Sequence, residues 1–176
     1  MRFTSKPLRS VMFVPGNRED LMLKAPKYGA DALILDLEDS VPENEKESAR
    51  DLVKNAVQKL GSEDVTLFVR VNRLETGLTG LDLEAITSSN LYGVLLPKVE
   101  NPADVIEVDT LLRFFERKNH MDIGSICIDP ALETVHGIRQ AYEIAMASSR
   151  VAHMGGSGGK GGDKGGAPKS FFYVIG

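Results

Sequence analysis

The sequence has little of what marks several classes of protein. Its 176 residues include one cysteine and no tryptophan, and a lone cysteine excludes an internal disulfide framework. Lys and Arg number 21 against 25 Asp and Glu, so the basic surplus of a nucleic-acid-binding protein is missing. No apolar run approaches the roughly 20 residues of a membrane span, and the opening MRFTSKPLRSVMFVPG lacks the features of a signal peptide. We therefore expect a cytoplasmic protein with neither nucleic acid nor membrane as a partner.

Short apolar runs alternate with longer amphipathic segments along the chain. The runs are rich in Val, Ile, Leu and Phe and have polar or turn residues on both sides, as buried parallel strands do; they cover residues 10–14, 31–37, 65–71, 92–99, 124–129 and 150–154. Three helices are predicted most clearly. One follows Pro42 and stops at Gly61, one has Asn101 as its N-cap, and one covers residues 134–148.

This alternation predicts a single α/β domain over residues 1–176 with a parallel sheet. Two architectures fit. An open doubly wound sheet would be complete with five or six strands, which the length favours. A (β/α)₈ barrel normally takes about 250 residues, but the polar residues and motifs favour it.

Ionisable side chains follow the predicted strands at their carboxyl ends, where parallel α/β folds have their active sites. The strand period of two places Asp36 and Glu38 on one face of the second strand, and Arg70 and Asn72 on one face of the third. Later strand ends contribute Lys98, Glu100 and Glu133. Carboxylates around one arginine suit a divalent-metal site for an anionic substrate.

Structural roles explain some of the same residues. Asp39 and Ser40 are candidates for capping the next helix. Lys98 is a candidate for a solvated strand-end lysine or for a partner of Glu38 or Asp36, and Arg70 for a purely structural buried ion pair. Cys127 lies in an apolar run, where a packed thiol is expected. His120, His136 and His153 do not have a metal-ligand spacing.

Several segments together carry a family resemblance. They are LRSVMFVPGNRED, GADALILDLEDSVPENEKESAR, FVRVN, GVLLPKVE and ALETVHGIRQAYEIA, in that order. Over residues 8–154 the chain resembles the citrate lyase β-subunit-like group of the HpcH/HpaI aldolase superfamily. The resemblance implies a (β/α)₈ TIM-barrel type fold, here truncated after about six strands, and a homo-oligomer. It also implies Mg²⁺ as cofactor and an acyl-CoA or acyl-carrier thioester as substrate.

The resemblance also implies roles for individual residues. Arg70 matches the arginine that holds the substrate oxyanion or carboxylate, and Glu133 matches the first metal-ligating carboxylate; both are candidate catalytic residues. The predicted substrate-binding set is Arg70, Glu38, and Pro15, Gly16 and Asn17 of the first strand-end loop.

The glycine-rich segment 155–168 follows the predicted sixth strand, where the resembled family keeps its second metal-ligating aspartate. That aspartate should fall near Lys160, and the nearest carboxylate is Asp163, which we predict as the second ligand. A phosphate-binding P-loop does not fit, because Met154 and Gly161 occupy two of its required positions. A flexible linker remains the alternative.

The sequence therefore predicts a Mg²⁺-dependent carbon–carbon lyase that cleaves or forms a 3-hydroxyacyl thioester of the citryl-, malyl- or citramalyl-CoA type through an enolate. An aldolase for free 2-keto acids is one alternative. A non-catalytic truncated homologue that acts as a binding subunit is another.

Overall fold

The structure is a computed structural model that describes residues 8–61, 65–156 and 171–174. Strands and helices alternate as predicted over most of this range. The strands are β1 (Val11–Pro15), β2 (Ala32–Asp36), β3 (Thr66–Arg70), β4 (Gly93–Leu96), β5 (Cys127–Pro130), β6 (His153–Gly156) and β7 (Phe171–Val174). The helices are α1 (Glu19–Lys24), α2 (Lys46–Leu60), α3 (Thr79–Ile86), α4 (Pro102–Lys118), α5 (Val135–Arg139) and α6 (Ala141–Met146).

The first five strands form one parallel sheet in the order in which they follow each other along the chain. A doubly wound sheet reverses its strand order part-way, whereas a barrel adds each strand beside the previous one. Parallel bridges from Ile128 to Val151 and from Ala131 to Gly155 extend the same progression past β5. The fold is therefore α/β of the TIM-barrel type, which confirms the predicted class.

The last strand departs from this repeat. Phe171–Val174 is a strand beyond the six predicted runs, and it pairs antiparallel with β6. Residues 157–170, which include most of the glycine-rich segment and the predicted ligand Asp163, lie outside the described residues.

The helix predictions were correct for two of the three segments. Helix α2 stops before Gly61, and α4 has Asn101 as its N-cap, with a side-chain bond to the Ala103 amide of 2.9 Å. The single helix expected over residues 134–148 is wrong, because Gln140 leaves helical geometry between α5 and α6. Its side-chain amide donates to the Glu100 carbonyl at 3.0 Å, which ties the break to the segment after β4.

The sheet has two faces with different surroundings. On β2, Leu33 and Leu35 pack with the helices in the larger core, while Ala32 and Ile34 line the inner face with Phe68 of β3. The predicted strand period is therefore confirmed on β2. Among the described residues, no helix has the length and apolar character to cross a membrane.

Candidate functional site

The ion pair between Arg70 and Asp36 lies at the carboxyl ends of β3 and β2. Arg70 donates from Nε to Asp36 Oδ1 at 2.7 Å and from Nη2 to Oδ2 at 2.6 Å, a bidentate geometry that fixes the guanidinium plane. The central carbon of the guanidinium, Cζ, lies over the Phe13 ring, 5.1 Å from its centroid. Burial raises the pKa of Asp36, but the bonds and charge of Arg70 outweigh burial and hold the pKa below its usual value.

Glu38 connects Arg70 to the end of β4. Its Oε2 lies 3.1 Å from Arg70 Nη1, and its Oε1 accepts a 2.7 Å hydrogen bond from Lys98 Nζ. Lys98 has a backbone φ of 54°, a left-handed conformation that is uncommon for a residue with a side chain and is found often at functional sites. Of the two structural roles considered for Lys98, the structure selects a partner of Glu38.

Two glycines let the surrounding loops approach the strand ends. A Cβ on Gly16 would overlap the Asp36 carbonyl oxygen and the Val53 side chain, so only glycine lets the loop after β1 lie against β2. A Cβ on Gly137 would overlap the Val99 carbonyl oxygen in the same way. The first turn of α5 therefore packs directly on the segment after β4.

Glu133 lies between β5 and α5, immediately before Thr134, which caps α5 through the Gly137 amide. Glu133 is partly buried and accepts no hydrogen bond from the part of the chain that the structure describes. Burial and the neighbouring charge of Glu38 raise the pKa of Glu133, against the opposing charges of Arg70 and Lys98. The carboxylate is therefore within electrostatic reach of the Arg70 cluster.

Negative charge exceeds positive charge in this group of side chains, which we call the strand-end cluster. It contains the four carboxylates Asp36, Glu38, Asp39 and Glu133 and the two cations Arg70 and Lys98, which gives a net charge of −2 when all are ionised. Within the described ranges, no three or more His, Cys, Asp or Glu side chains form a ready-made metal cage. A cation that needs only one or two protein carboxylates, such as Mg²⁺, fits this donor set.

Comparisons with known proteins agree with this architecture. The family model described as HpcH/HpaI aldolase/citrate lyase matches residues 9–155. The chain belongs to this family. The match includes each of β1 to β5 and every side chain of the strand-end cluster, so the family assignment and the site rest on the same residues.

Individual relatives of the HpcH/HpaI aldolase/citrate lyase family are also similar. A citrate lyase subunit beta of Leuconostoc mesenteroides is 37% identical over 143 residues, which are 81% of this chain and 47% of the relative. A (3S)-malyl-CoA thioesterase of Cereibacter sphaeroides is 34% identical over 154 residues, 88% of this chain and 50% of the relative. The chain spans about half the length of the curated relatives it matches.

A solved structure supports the same family. The citrate lyase beta subunit of Mycobacterium tuberculosis, complexed with oxaloacetate and magnesium, superposes with a TM-score of 0.62 at 30% identity. The superposition covers 82% of this chain and 55% of that one.

The structure brings some of the predicted site residues together and places others apart. Pro15 pairs with Asp36 across the sheet, and the Gly16 amide donates to the Asp36 carbonyl at 2.8 Å, so both adjoin the cluster. The Asn17 side chain instead donates to Glu45 at 2.7 Å. All three stay predicted substrate-binding residues.

Three further polar residues at the strand ends have different surroundings. Asn72 was expected on the same face as Arg70, but its side chain donates to Asp82 of α3 at 2.7 Å because β3 ends at Arg70 and the strand period no longer applies. Glu100 is exposed. Asp39 does not cap α2; it lies 3.4 Å from Lys98 Nζ and belongs to the cluster.

Sequence reasoning missed two residues near the site. Lys46, at the start of α2, lies within the quoted family segment but received no role. Asp129, on the inner face of β5, is 4% exposed. It received no role because it lies at the end of a predicted apolar strand, residues 124–129. Its alternation with Cys127 and Ala131 was the signal that could have placed it inside the sheet. Cys127 itself is buried, as predicted, and burial raises the pKa of its thiol well above the usual value.

Proposed function

We propose that this chain carries the enolate-stabilising, Mg²⁺-binding site of a carbon–carbon lyase for 3-hydroxyacyl thioesters of the citryl-, malyl- or citramalyl-CoA type. The observation that carries the proposal is the fixed Arg70 guanidinium within a strand-end cluster whose net charge is −2. The relatives support the substrate class, since one is named a (3S)-malyl-CoA thioesterase and one CitE structure holds magnesium, acetoacetate and coenzyme A.

The reaction transfers one electron pair. The 3-hydroxyl group loses its proton, the bond between carbons 2 and 3 breaks, and carbon 3 becomes the carbonyl of a keto acid. The electron pair passes into the thioester enolate, which then takes a proton on carbon. Negative charge thus develops on an oxygen during cleavage, and preorganised positive charge beside that oxygen lowers the barrier.

Arg70 supplies that charge. Burial lowers the pKa of Arg70, but Asp36, Glu38 and Asp39 together raise it above its usual value, so the guanidinium stays protonated throughout. The bidentate bond to Asp36 leaves Nη1 directed toward Glu38 and the cluster. Arg70 therefore offers an anionic oxygen a guanidinium whose plane Asp36 has already fixed.

Glu133 and Asp163 are the residues that would hold Mg²⁺. The raised pKa of Glu133 and its lack of a hydrogen-bond donor among the described residues fit a carboxylate whose partner is a cation. When bound, Mg²⁺ supplies Lewis-acid polarisation of the keto-acid oxygen. Lys98 holds Glu38, so Glu38 presents its carboxylate to Arg70 in one fixed orientation.

The test is calorimetric titration of Mg²⁺, with and without oxaloacetate, into the wild type, Glu133→Gln, Asp163→Asn and the control Glu143→Gln. Glu143 is an exposed carboxylate of α6. We expect wild type and control to bind Mg²⁺ equally, and Glu133→Gln to bind about tenfold or more weakly because a coordinating charge is lost. Weaker binding by Asp163→Asn would identify Asp163 as the second ligand.

Two results would contradict the metal site: no Mg²⁺ binding by the wild type, or unchanged binding in both variants. Turnover then separates the functions. Cleavage of a 3-hydroxyacyl-CoA but not of the free acid supports the lyase. Cleavage of free 2-keto-acid aldols supports the aldolase, and binding without any turnover supports a binding subunit.

A further inference from the structure

Lys46, the first residue of α2, makes two contacts that the proposed chemistry does not explain. Its Nζ donates to the main-chain carbonyl of Leu37 and to that of Glu38, each at 2.7 Å. A lysine at a helix N-terminus faces the positive end of the helix dipole, which is unfavourable. The side chain is nevertheless partly buried and extends back to the loop after β2.

The backbone of Glu38 is held on both sides. Its amide donates to Asp36 Oδ1 at 2.9 Å, and its carbonyl accepts from the Val41 amide at 3.1 Å as well as from Lys46. The side chain of Glu38 is 7% exposed and lies between Arg70 and Lys98. A small rotation of this peptide would therefore move the carboxylate away from both cations.

We propose that Lys46 is a positioning residue that fixes the peptide at Leu37 and Glu38 and thereby the direction in which Glu38 meets Arg70 and Lys98. The inference rests on the proposed function, because it assigns Lys46 to the support of the same site. Within the described part of the chain, Lys46 bonds to main-chain carbonyls and to none of the cluster side chains, so it acts through the backbone of Leu37 and Glu38.

The experiment compares Lys46→Met, which keeps most of the stem and removes the donor, with Lys46→Arg, which keeps a donor. Lys54→Met is the matched control, because Lys54 is an exposed lysine on the same helix. Residue-resolved amide hydrogen exchange is measured first and needs no ligand. Oxaloacetate is then titrated in saturating Mg²⁺.

We expect Lys46→Met to speed exchange of the Glu38, Ser40 and Val41 amides about tenfold, since a hydrogen bond to a charged donor is lost, while amides of β4 and α4 are unchanged. Oxaloacetate should bind about tenfold more weakly. Lys46→Arg should restore part of both effects, and Lys54→Met should match the wild type.

The proposal is overturned if exchange at these amides stays within about twofold of the wild type, or if it rises equally across the whole chain in both Lys46 variants. A chain-wide rise would make Lys46 a residue of general stability. A wild type that binds neither Mg²⁺ nor oxaloacetate contradicts the proposed function, and the exchange comparison still decides whether Lys46 fixes the loop.

Discussion

Asp129 is a carboxylate on the inner face of β5, and the structure surrounds it with apolar neighbours. Its Oδ1 accepts no hydrogen bond from the described residues, and the inner face around it is formed by side chains such as Leu95, Cys127 and Ala131. Burial raises the pKa of Asp129 to about 7, and the Gly155 amide lowers it only in part. The buried charge therefore costs stability whenever Asp129 is ionised in the folded state.

The sign of the resulting pH dependence follows from this shift. The unfolded chain releases the Asp129 proton near pH 3.8 and the folded chain near 7, so the folded state holds the extra proton between these values. The stabilisation that the protonated Asp129 contributes is fully present below pH 3.8, decreases as the pH rises from 3.8 to about 7, and is absent above pH 7.

We expect Asp129→Asn to be more stable than the wild type at pH 8 and to lose most of that advantage toward pH 4. The neutral amide carries no buried charge and keeps an acceptor oxygen for the Gly155 amide. Urea unfolding at several pH values measures the difference. Asp51→Asn, which removes an exposed carboxylate of α2, controls for net charge. A pH-independent difference between Asp129→Asn and the wild type would show that Asp129 is not the titrating group.

At the scale of elements, the packing of α5 on the segment after β4 determines where Glu133 lies. Gly137 lies against the Val99 carbonyl, a backbone group that cannot move aside as a flexible side chain would. Thr134, which directly follows Glu133, accepts a hydrogen bond from the Gly137 amide and so connects the end of this loop to the same helix turn. The contact of α5 with the segment after β4 thus helps to fix the loop that carries Glu133.

We expect Gly137→Ala to destabilise the fold by about 1–3 kcal/mol through overpacking and to weaken Mg²⁺ binding, since α5 must shift and carry Glu133 with it. Gly80→Ala is the control, because a Cβ on Gly80 of α3 meets no atom within 4 Å. Alanine there should leave Mg²⁺ binding unchanged and stability equal or slightly higher. Equal effects of the two substitutions on urea unfolding and on Mg²⁺ titration would contradict this role of Gly137.

The sequence predicts elements better than it predicts contacts between them. Periodicity located five parallel strands, of which β2 to β5 bury residues on both faces. Pro42 and Gly61 marked the limits of the segment that contains α2. The sequence did not predict the break at Gln140 or the bonds of Asn72 and Lys46, since each bond joins two different elements or an element and a loop. Contacts between elements are set by the tertiary fold, and local patterns do not encode them.

At the scale of the whole molecule, two clusters of charged residues lie at opposite ends of the parallel strands. The strand-end cluster at the carboxyl ends has a net charge of −2. The second cluster lies at the amino ends of β5 and β6 and contains Arg113, Arg150, Asp109 and Glu116, whose charges cancel. In barrels of this type, chemistry belongs to the carboxyl face and stability to the other. The balanced cluster is therefore expected to support the fold and not the site.

Arg150 is the centre of the balanced cluster and is 3% exposed. It donates to Asp109 at 2.6 Å, to both oxygens of Glu116 at 2.8 and 2.6 Å, and to the Ile126 carbonyl at 2.9 Å. It thereby joins α4 to the segments that enter β5 and β6. Burial raises the pKa of Glu116, but hydrogen bonds from Arg150 and the Gly124 amide outweigh burial and hold that pKa below its usual value. Burial likewise raises the pKa of Asp109, and hydrogen bonds from Arg113 and Arg150 hold it below its usual value.

Replacing Arg150 should therefore destabilise the whole molecule and change its response to acid. We expect Arg150→Met to lose about 3–5 kcal/mol of unfolding free energy at pH 7, because two buried carboxylates lose their main partner. Arg113→Met removes an exposed partner of the same Asp109 and should cost about 1 kcal/mol or less.

The lowered pKa values of Asp109 and Glu116 also determine the response to acid. These carboxylates stabilise the fold above their unfolded pKa values, near 3.8 and 4.5, and this contribution is lost as the pH falls through their folded pKa values. Urea unfolding between pH 7 and 3 should thus show a steeper acid loss in the wild type than in Arg150→Met, and equal costs for the two arginine variants would refute a structural role for the buried cluster.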